Sequence, residues 1–159
     1  MTKILILGSE GFLGSVLTPY LLKNNRHFEI TGVDKCFFGI NNKRNKKFKF
    51  YKKDYNQLSK NFFKKFEIII DLVNISNDPA SELNKKFTYQ TNYTNKLKLY
   101  NKIKNLENIS RYIYMSSCSV YGNNKNLINE KSKPKPISLY SKLCLKYEKY
   151  LKKNKKIPF

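Results

Sequence analysis

The chain has 159 residues, 40% of them hydrophobic, and a formal charge of +21, a length that holds one domain with a sizeable core but not two ordinary ones. No run of 18 apolar residues and no cleavage-site pattern appears, and Cys36, Cys118 and Cys144 form no C-x-x-C pair, which argues against a membrane span, export, a disulfide framework or a zinc site. The charge is almost all lysine, with Arg26, Arg44 and Arg111 the sole arginines among many Asn and Ile, so it reads as a compositional bias and not as a specific nucleic-acid interface.

Ile4-Leu5-Ile6-Leu7 predicts a buried first strand that falls directly into Gly8, Gly11 and Gly14. Strand, tight turn and helix start follow from that order. Gly8 suits a turn of unusual φ, Gly11 allows close approach of a bound group, and Gly14 lets the helix pack closely. With Phe12 and Leu13 at the helix start, free N–H groups and the positive end of the helix dipole face the space beyond the turn, where a pyrophosphate fits.

Val16, Leu17, Tyr20 and Leu21 continue the helix, and Pro19 inside it predicts a kink or local break. His27, the single histidine, falls in the following connection as a surface turn residue. Phe28 to Val33 reads as the second strand, with Asp34 at its end. An acid about 20 positions beyond such glycines accepts hydrogen bonds from ribose hydroxyls, and its charge favours NAD over NADP. Asn41 to Lys47 is a basic loop that solvation alone explains.

Phe48 to Tyr51 predicts a third strand ending near Asp54, where Asp54 and Tyr55 could flank an adenine ring, and Leu58, Phe62, Phe63 and Phe66 mark a short helix. Glu67 to Val73 is a nearly unbroken β-branched run, as a buried parallel strand requires, and Asn74 to Pro79 is its exit loop. The spacing from Ser81 to Asn105 predicts one long helix containing Asn92. Arg111 to Met115 is the fifth strand, opening into Ser116-Ser117-Cys118-Ser119-Val120-Tyr121-Gly122, and a polar loop leads to Pro136. Ser138 caps a last helix with Leu139, Leu143, Tyr147 and Leu151 on one face, and residues 155–159 look like the approach to another strand. Strands alternating with helices predict an α/β fold with a right-handed doubly wound parallel sheet.

At Ser117 and Tyr140 the chain resembles the extended short-chain dehydrogenase/reductases, specifically the NAD-dependent epimerase/dehydratase family that acts on nucleotide sugars. The resemblance runs from Thr2 to Phe159 and rests on Gly8-x-x-Gly11-x-x-Gly14, Asp34, Asp54, Asn92, Ser117 in an S-S-x-x-V-Y-G loop, and Tyr140. It implies a Rossmann-type sheet with helices on both faces over 1–159, lacking the C-terminal substrate domain, and a cytoplasmic oxidoreductase. NAD would be held by Gly8, Gly11, Phe12, Leu13, Gly14, Asp34, Asp54, Tyr55, Asn92 and Tyr140. Ser117 would hold the reacting hydroxyl and Tyr140 act as acid/base for a nucleotide-sugar substrate. The family also pairs the helices around 81–105 and 138–153 with their copies in a homodimer.

One departure bears on chemistry. The family's lysine four residues after the tyrosine is Cys144 here, a small buried thiol, and Lys142 and Lys146 fall on other helix faces. Without that cation Tyr140 should titrate near the ordinary value of about 10 and base catalysis should suffer. Val73-Asn74 also replaces small residues and should crowd a cofactor. The same residues allow a second reading, a non-catalytic Rossmann-fold interaction or regulatory module.

Overall fold

Ile4, Leu5, Ile6 and Leu7 are all buried, so β1 (Thr2–Leu7) is covered on both faces, the condition for a strand inside a parallel sheet. The computed structural model describes residues 1–25, 27–42, 46–124 and 127–159. The middle of the basic loop (43–45), two residues of the polar loop (125–126) and Arg26 lie outside these. Around β1 stand β2 (Phe28–Asp34), β3 (Phe48–Lys52), β4 (Ile68–Asp71) and β5 (Arg111–Tyr114), all parallel, in the order β3-β2-β1-β4-β5. The chain builds outward from β1 to β3, then returns to the other side of β1. Crossovers therefore diverge at the C-terminal end of β1, where doubly wound sheets take ligands. Leu7 is level with both Val33 and Asp71, so Gly8, Asp34 and Asp71 gather at that same edge.

Two compact units are distinguished: residues 1–73 with 99–115 and 156–159, and residues 74–98 with 116–155. In the first, α1 (Phe12–Asn24) lays Leu17, Leu21 and Leu22 on Ile4, Ile6, Ile30, Phe48 and Ile70. Tyr112, level with Ile69, faces the opposite way and meets Tyr100 of α5 (Asn95–Ile103) with ring centroids 5.8 Å apart, so helices cover both faces of the sheet. α1 runs through Pro19 without the local break that was one of the two expected outcomes there. Pro19 is exposed, so the carbonyl deprived of its helical partner can turn to water. The short helix read after β3 is α2 (Lys60–Phe63), with a 3₁₀ turn (Tyr55–Gln57) before it. The Lys102 ammonium pins that turn by donating to the carbonyls of Asn56 (3.2 Å) and Leu58 (2.7 Å). At the outer edge of β5 the Tyr112 N–H donates to the Pro158 carbonyl at 3.0 Å and Ile157 is buried, so the terminal residues touch the strand without forming one of their own.

In the second unit the long helix expected from 81 to 105 is divided. α3 (Asp78–Leu83) ends at Asn84, whose φ of −144° and ψ of 87° are not helical. Its side chain accepts from the Phe87 N–H and starts α4 (Lys85–Tyr89). A π-turn (Gln90–Thr94) then precedes α5. Apolar spacing cannot register such breaks, because each piece keeps nearly the same buried face. α6 (Leu139–Lys153) begins where read: the Ser138 hydroxyl accepts from the Ser141 N–H at 3.1 Å, and Tyr140, Leu143, Cys144, Tyr147 and Leu151 are buried. None of the three cysteines forms a disulfide. Among the described residues no helix is long and apolar enough to cross a membrane.

Candidate functional site

The glycine turn leaves β1 with Gly8 at φ +82°, in the left-handed region that a side chain resists. The Gly8 N–H donates to the Val33 carbonyl at 2.9 Å and its own carbonyl accepts from the Gly11 N–H at 3.2 Å, which closes the turn between β1 and β2. A Cβ on Gly14 would stand 2.2 Å from the Gly8 oxygen, so Gly14 packs against the turn itself, not only the strand. A Cβ on Gly11 would meet only the Gly8 oxygen, at 3.4 Å, among the described residues. Backbone there is open to an approaching group. No side chain caps α1 and no acid lies in its first turn, so the amides of Phe12 and Leu13 present a positive end suited to an anion. Val73 packs along the other side of the turn, its Cγ2 3.3 Å from a Gly8 Cβ position.

Asp34 stands beside this turn. Its Oδ2 accepts the Glu10 N–H at 3.0 Å and its Oδ1 the Cys36 N–H at 2.6 Å. A carboxylate has about four acceptor positions, so the others remain for a ligand's hydroxyls. Asp54 caps the 3₁₀ turn, with Oδ1 accepting from the Asn56 N–H and side-chain amide, each at 2.9 Å, and Oδ2 2.7 Å from the Lys35 ammonium. Burial works to raise its carboxyl, but Lys35 and Asn56 prevail and hold it below the ordinary value. Tyr55 is differently placed from what the sequence led us to expect. Its ring is 6% exposed, in the core, and burial, together with Asp71 and Asp54, lifts its hydroxyl well above the usual range. What it can offer a ligand is main chain, not a ring face.

Sequence reasoning missed Glu10 and Asp71. Asp71, at the end of β4, accepts the Tyr112 hydroxyl at 2.7 Å and the Val73 N–H at 3.1 Å. The signal available was position alone: an acid at the C-terminal end of a buried strand. The basic loop is also not merely solvated, since Asn42 is buried and Asn41 and Asn42 bond to the glycine turn.

In the second unit, the buried Asn92 reaches the strand-four exit loop instead of presenting itself to a ligand. Its Oδ1 accepts the Ile75 N–H at 2.8 Å and its Nδ2 donates to the Ile75 carbonyl at 3.0 Å. The side-chain amide thus pairs with a main-chain amide as a strand neighbour would, and the π-turn is what swings it there. Asn92→Ala should cost about 2 to 3 kcal/mol by leaving both Ile75 groups without this partner, read as a lower urea midpoint with an unchanged slope.

Ser117 caps a 3₁₀ turn (Cys118–Tyr121): its Oγ accepts the Ser119 N–H at 3.2 Å and lies 2.9 Å from the Ser119 hydroxyl. Ser116 alongside it donates to the Glu148 carboxylate, fastening this loop to α6. Val120, Tyr140 and Cys144 then form one buried cluster. Tyr140 and Ser117 are thereby brought close enough for the Ser117 hydroxyl to favour the phenolate. Burial pushes the Tyr140 hydroxyl up to about 12, the Cys144 sulfur adds to the rise, and Ser117 offsets only part of it. This corrects the expectation of a value near 10: desolvation acts as well as the missing cation, and the phenolate at pH 7 is about one part in a hundred thousand.

Among the described residues, Lys142, Lys146 and Lys96 do not replace the missing one. Lys142 is exposed. Lys146 donates to the Tyr89 hydroxyl at 2.8 Å and lies 4.2 Å from the Tyr93 ring centroid. The buried Lys96 lies 6.0 Å over the ring of Tyr147, two turns beyond Tyr140.

The sequence pattern of the NAD dependent epimerase/dehydratase family matches residues 4–154. The chain is 34% identical over 154 residues to dTDP-D-glucose 4,6-dehydratase of Dictyostelium discoideum, which covers 85% of this chain and 35% of that protein. It superposes with a TM-score of 0.85 and 26% identity on a UDP-N-acetylglucosamine 4-epimerase of Methanobrevibacter ruminantium M1 in complex with UDP-N-acetylmuramic acid, over 96% of this chain and 50% of that one. A UDP-glucuronic acid 4-epimerase of Bacillus cereus, in complex with UDP-glucuronic acid and NAD, shares the fold at a TM-score of 0.84 and 24% identity, over 98% of this chain and 52% of that one. The chain thus spans about half the length of these solved relatives and about a third of the Dictyostelium protein. With the glycine turn, the strand order and the matched pattern in agreement, this chain belongs to the NAD-dependent epimerase/dehydratase family.

Proposed function

We propose that the chain is the NAD-binding portion of a nucleotide-sugar epimerase or dehydratase, working in the cytoplasm, with impaired proton chemistry. The observation that carries this is the open, uncapped turn at Gly11 beside the anchored Asp34 carboxylate. The amides of Phe12 and Leu13 would take the pyrophosphate, with Gly11 allowing its close approach and Gly8 and Gly14 shaping the turn. Asp34 would take the adenosine ribose hydroxyls, and Asp54 with the Tyr55 main chain the adenine edge. Asn92 acts through the Ile75 loop that it holds. Bound in this way, NAD supplies a hydride acceptor for a sugar carbon. Ser117 would hold the sugar hydroxyl and Tyr140 would take or return its proton, but a phenol at about 12 gives up its proton reluctantly at neutral pH. NADH fluorescence titration tests the reading: saturable binding supports it, and none by folded protein overturns it.

Cys144, placed where the family has its lysine, favours a second reading, a non-catalytic Rossmann-fold module that pairs with a second copy through α3 to α5 and α6. Sedimentation separates the two, since a dimer that neither binds nor responds to NAD fits the module alone.

A further inference from the structure

Glu10 lies between Ser9 and Gly11 in the glycine turn, and its side chain is 1% exposed. A carboxylate is seldom buried so fully unless it is hydrogen-bonded. Its Oε2 accepts two main-chain donors, the Asn41 N–H at 2.6 Å and the Asn42 N–H at 2.9 Å. The asparagine side chains return the grip, Asn41 Nδ2 donating to the Glu10 carbonyl and Asn42 Nδ2 to the Ser9 carbonyl, both at 2.6 Å. On its other side, the Glu10 N–H donates to Asp34 Oδ2, while the Cys36 N–H donates to Asp34 Oδ1. Three pieces of chain far apart in sequence, the glycine turn, the end of β2 and residues 41–42, are tied together at one residue.

We propose that Glu10 is a positioning residue that straps Asn41 and Asn42 across the glycine turn and so holds the Asp34 carboxylate in place for the ribose hydroxyls of a bound nucleotide. The inference rests on the nucleotide-binding reading above. An acid at a strand end has rotamer freedom that binding would have to remove. With one oxygen on the Glu10 N–H and the other on the Cys36 N–H, the plane of the Asp34 carboxylate is set before a ligand arrives. The Glu10 N–H keeps its direction only while the turn does, and the strap is what braces the turn from outside.

The test compares ADP with 2′-deoxy-ADP, because only the former offers the 2′-hydroxyl. The unaltered chain should prefer ADP by about tenfold, the worth of a good hydrogen bond to a charged acceptor. Glu10→Ala should bring the preference close to unity, and Glu10→Gln, which retains an acceptor oxygen, should keep it within about threefold of the unaltered value. Mere loss of rigidity would weaken both ligands alike and leave their ratio unmoved. If Glu10→Ala folds, binds ADP and retains the preference, the proposal is overturned while the nucleotide reading stands. If the unaltered chain binds neither ADP nor NADH, the nucleotide reading fails and takes the proposal with it. Should Glu10→Ala fail to fold, Asn41→Ala with Asn42→Ala removes two strap bonds and leaves Glu10 intact. A reduction of that preference by about threefold or more supports the strap, and an unchanged preference overturns it.

Discussion

Gly14→Ala will lower the stability of the chain by about 3 kcal/mol, the upper part of the range for overpacking, seen as an early urea midpoint. The new methyl would stand 2.2 Å from the Gly8 oxygen and 2.6 Å from the carbonyl carbon and oxygen of Ser9. All three belong to main chain in a tight turn, so no side-chain rotation relieves the clash. Gly11→Ala should behave oppositely. At φ −72° and ψ 176° the residue is in ordinary extended backbone, and its methyl meets only the Gly8 oxygen at 3.4 Å. Stability should change by less than about 1 kcal/mol, while NADH binding weakens more than about tenfold because the methyl enters the space left for a diphosphate. Equal behaviour of the two variants in both assays would show that the turn has no open side.

Cys144→Lys is expected to bring the Tyr140 hydroxyl down from about 12 by about two units, which multiplies the phenolate at pH 7 about a hundredfold. A cation one helical turn away favours the phenolate, and removing the sulfur removes a group that opposes it. The change can be followed by carbon-13 NMR of labelled tyrosines, with Tyr140 assigned through Tyr140→Phe, and by nucleotide-sugar-dependent NADH formation. Because Cys144 is fully buried beside Val120 and Tyr140, the longer stem will cost about 1 to 3 kcal/mol of packing. Cys144→Met imposes a similar crowding and also removes the thiol but brings no charge, so it should lower the titration much less than the lysine does. Identical titration in the lysine and methionine variants would remove the missing cation from the account of Tyr140.

The candidate residues differ in how far their roles could be read without coordinates. The turn shaped by Gly8 and Gly14 and the place of Asp34 at the end of β2 were legible because their spacing after an apolar run leaves few ways to fold, and the Ser138 cap because it is a purely local bond. Tyr55 was misjudged because a tyrosine after a strand looks the same in sequence whether its ring faces solvent or core. Asn92 was found by resemblance, but its hydrogen bonds to Ile75 depend on a π-turn that no hydrophobic period encodes. Asn41 and Asn42 read as solvated loop because their anchor, Glu10, lies 31 and 32 positions away in the chain.

The amino-acid sequence by itself determined the strands, their parallel alternation with helices, the glycine turn and the acid that ends β2, since each depends on local periodicity and on residues with few conformational options. It also determined that a thiol occupies the place of the family's lysine. Only the tertiary structure decided which of these groups meet: the burial that carries Tyr140 to about 12, the main-chain partners of Asp34 and Asn92, and the strap on Glu10. Desolvation and long-range hydrogen bonds are properties of three-dimensional proximity, and proximity between distant residues is not written in any single stretch of chain.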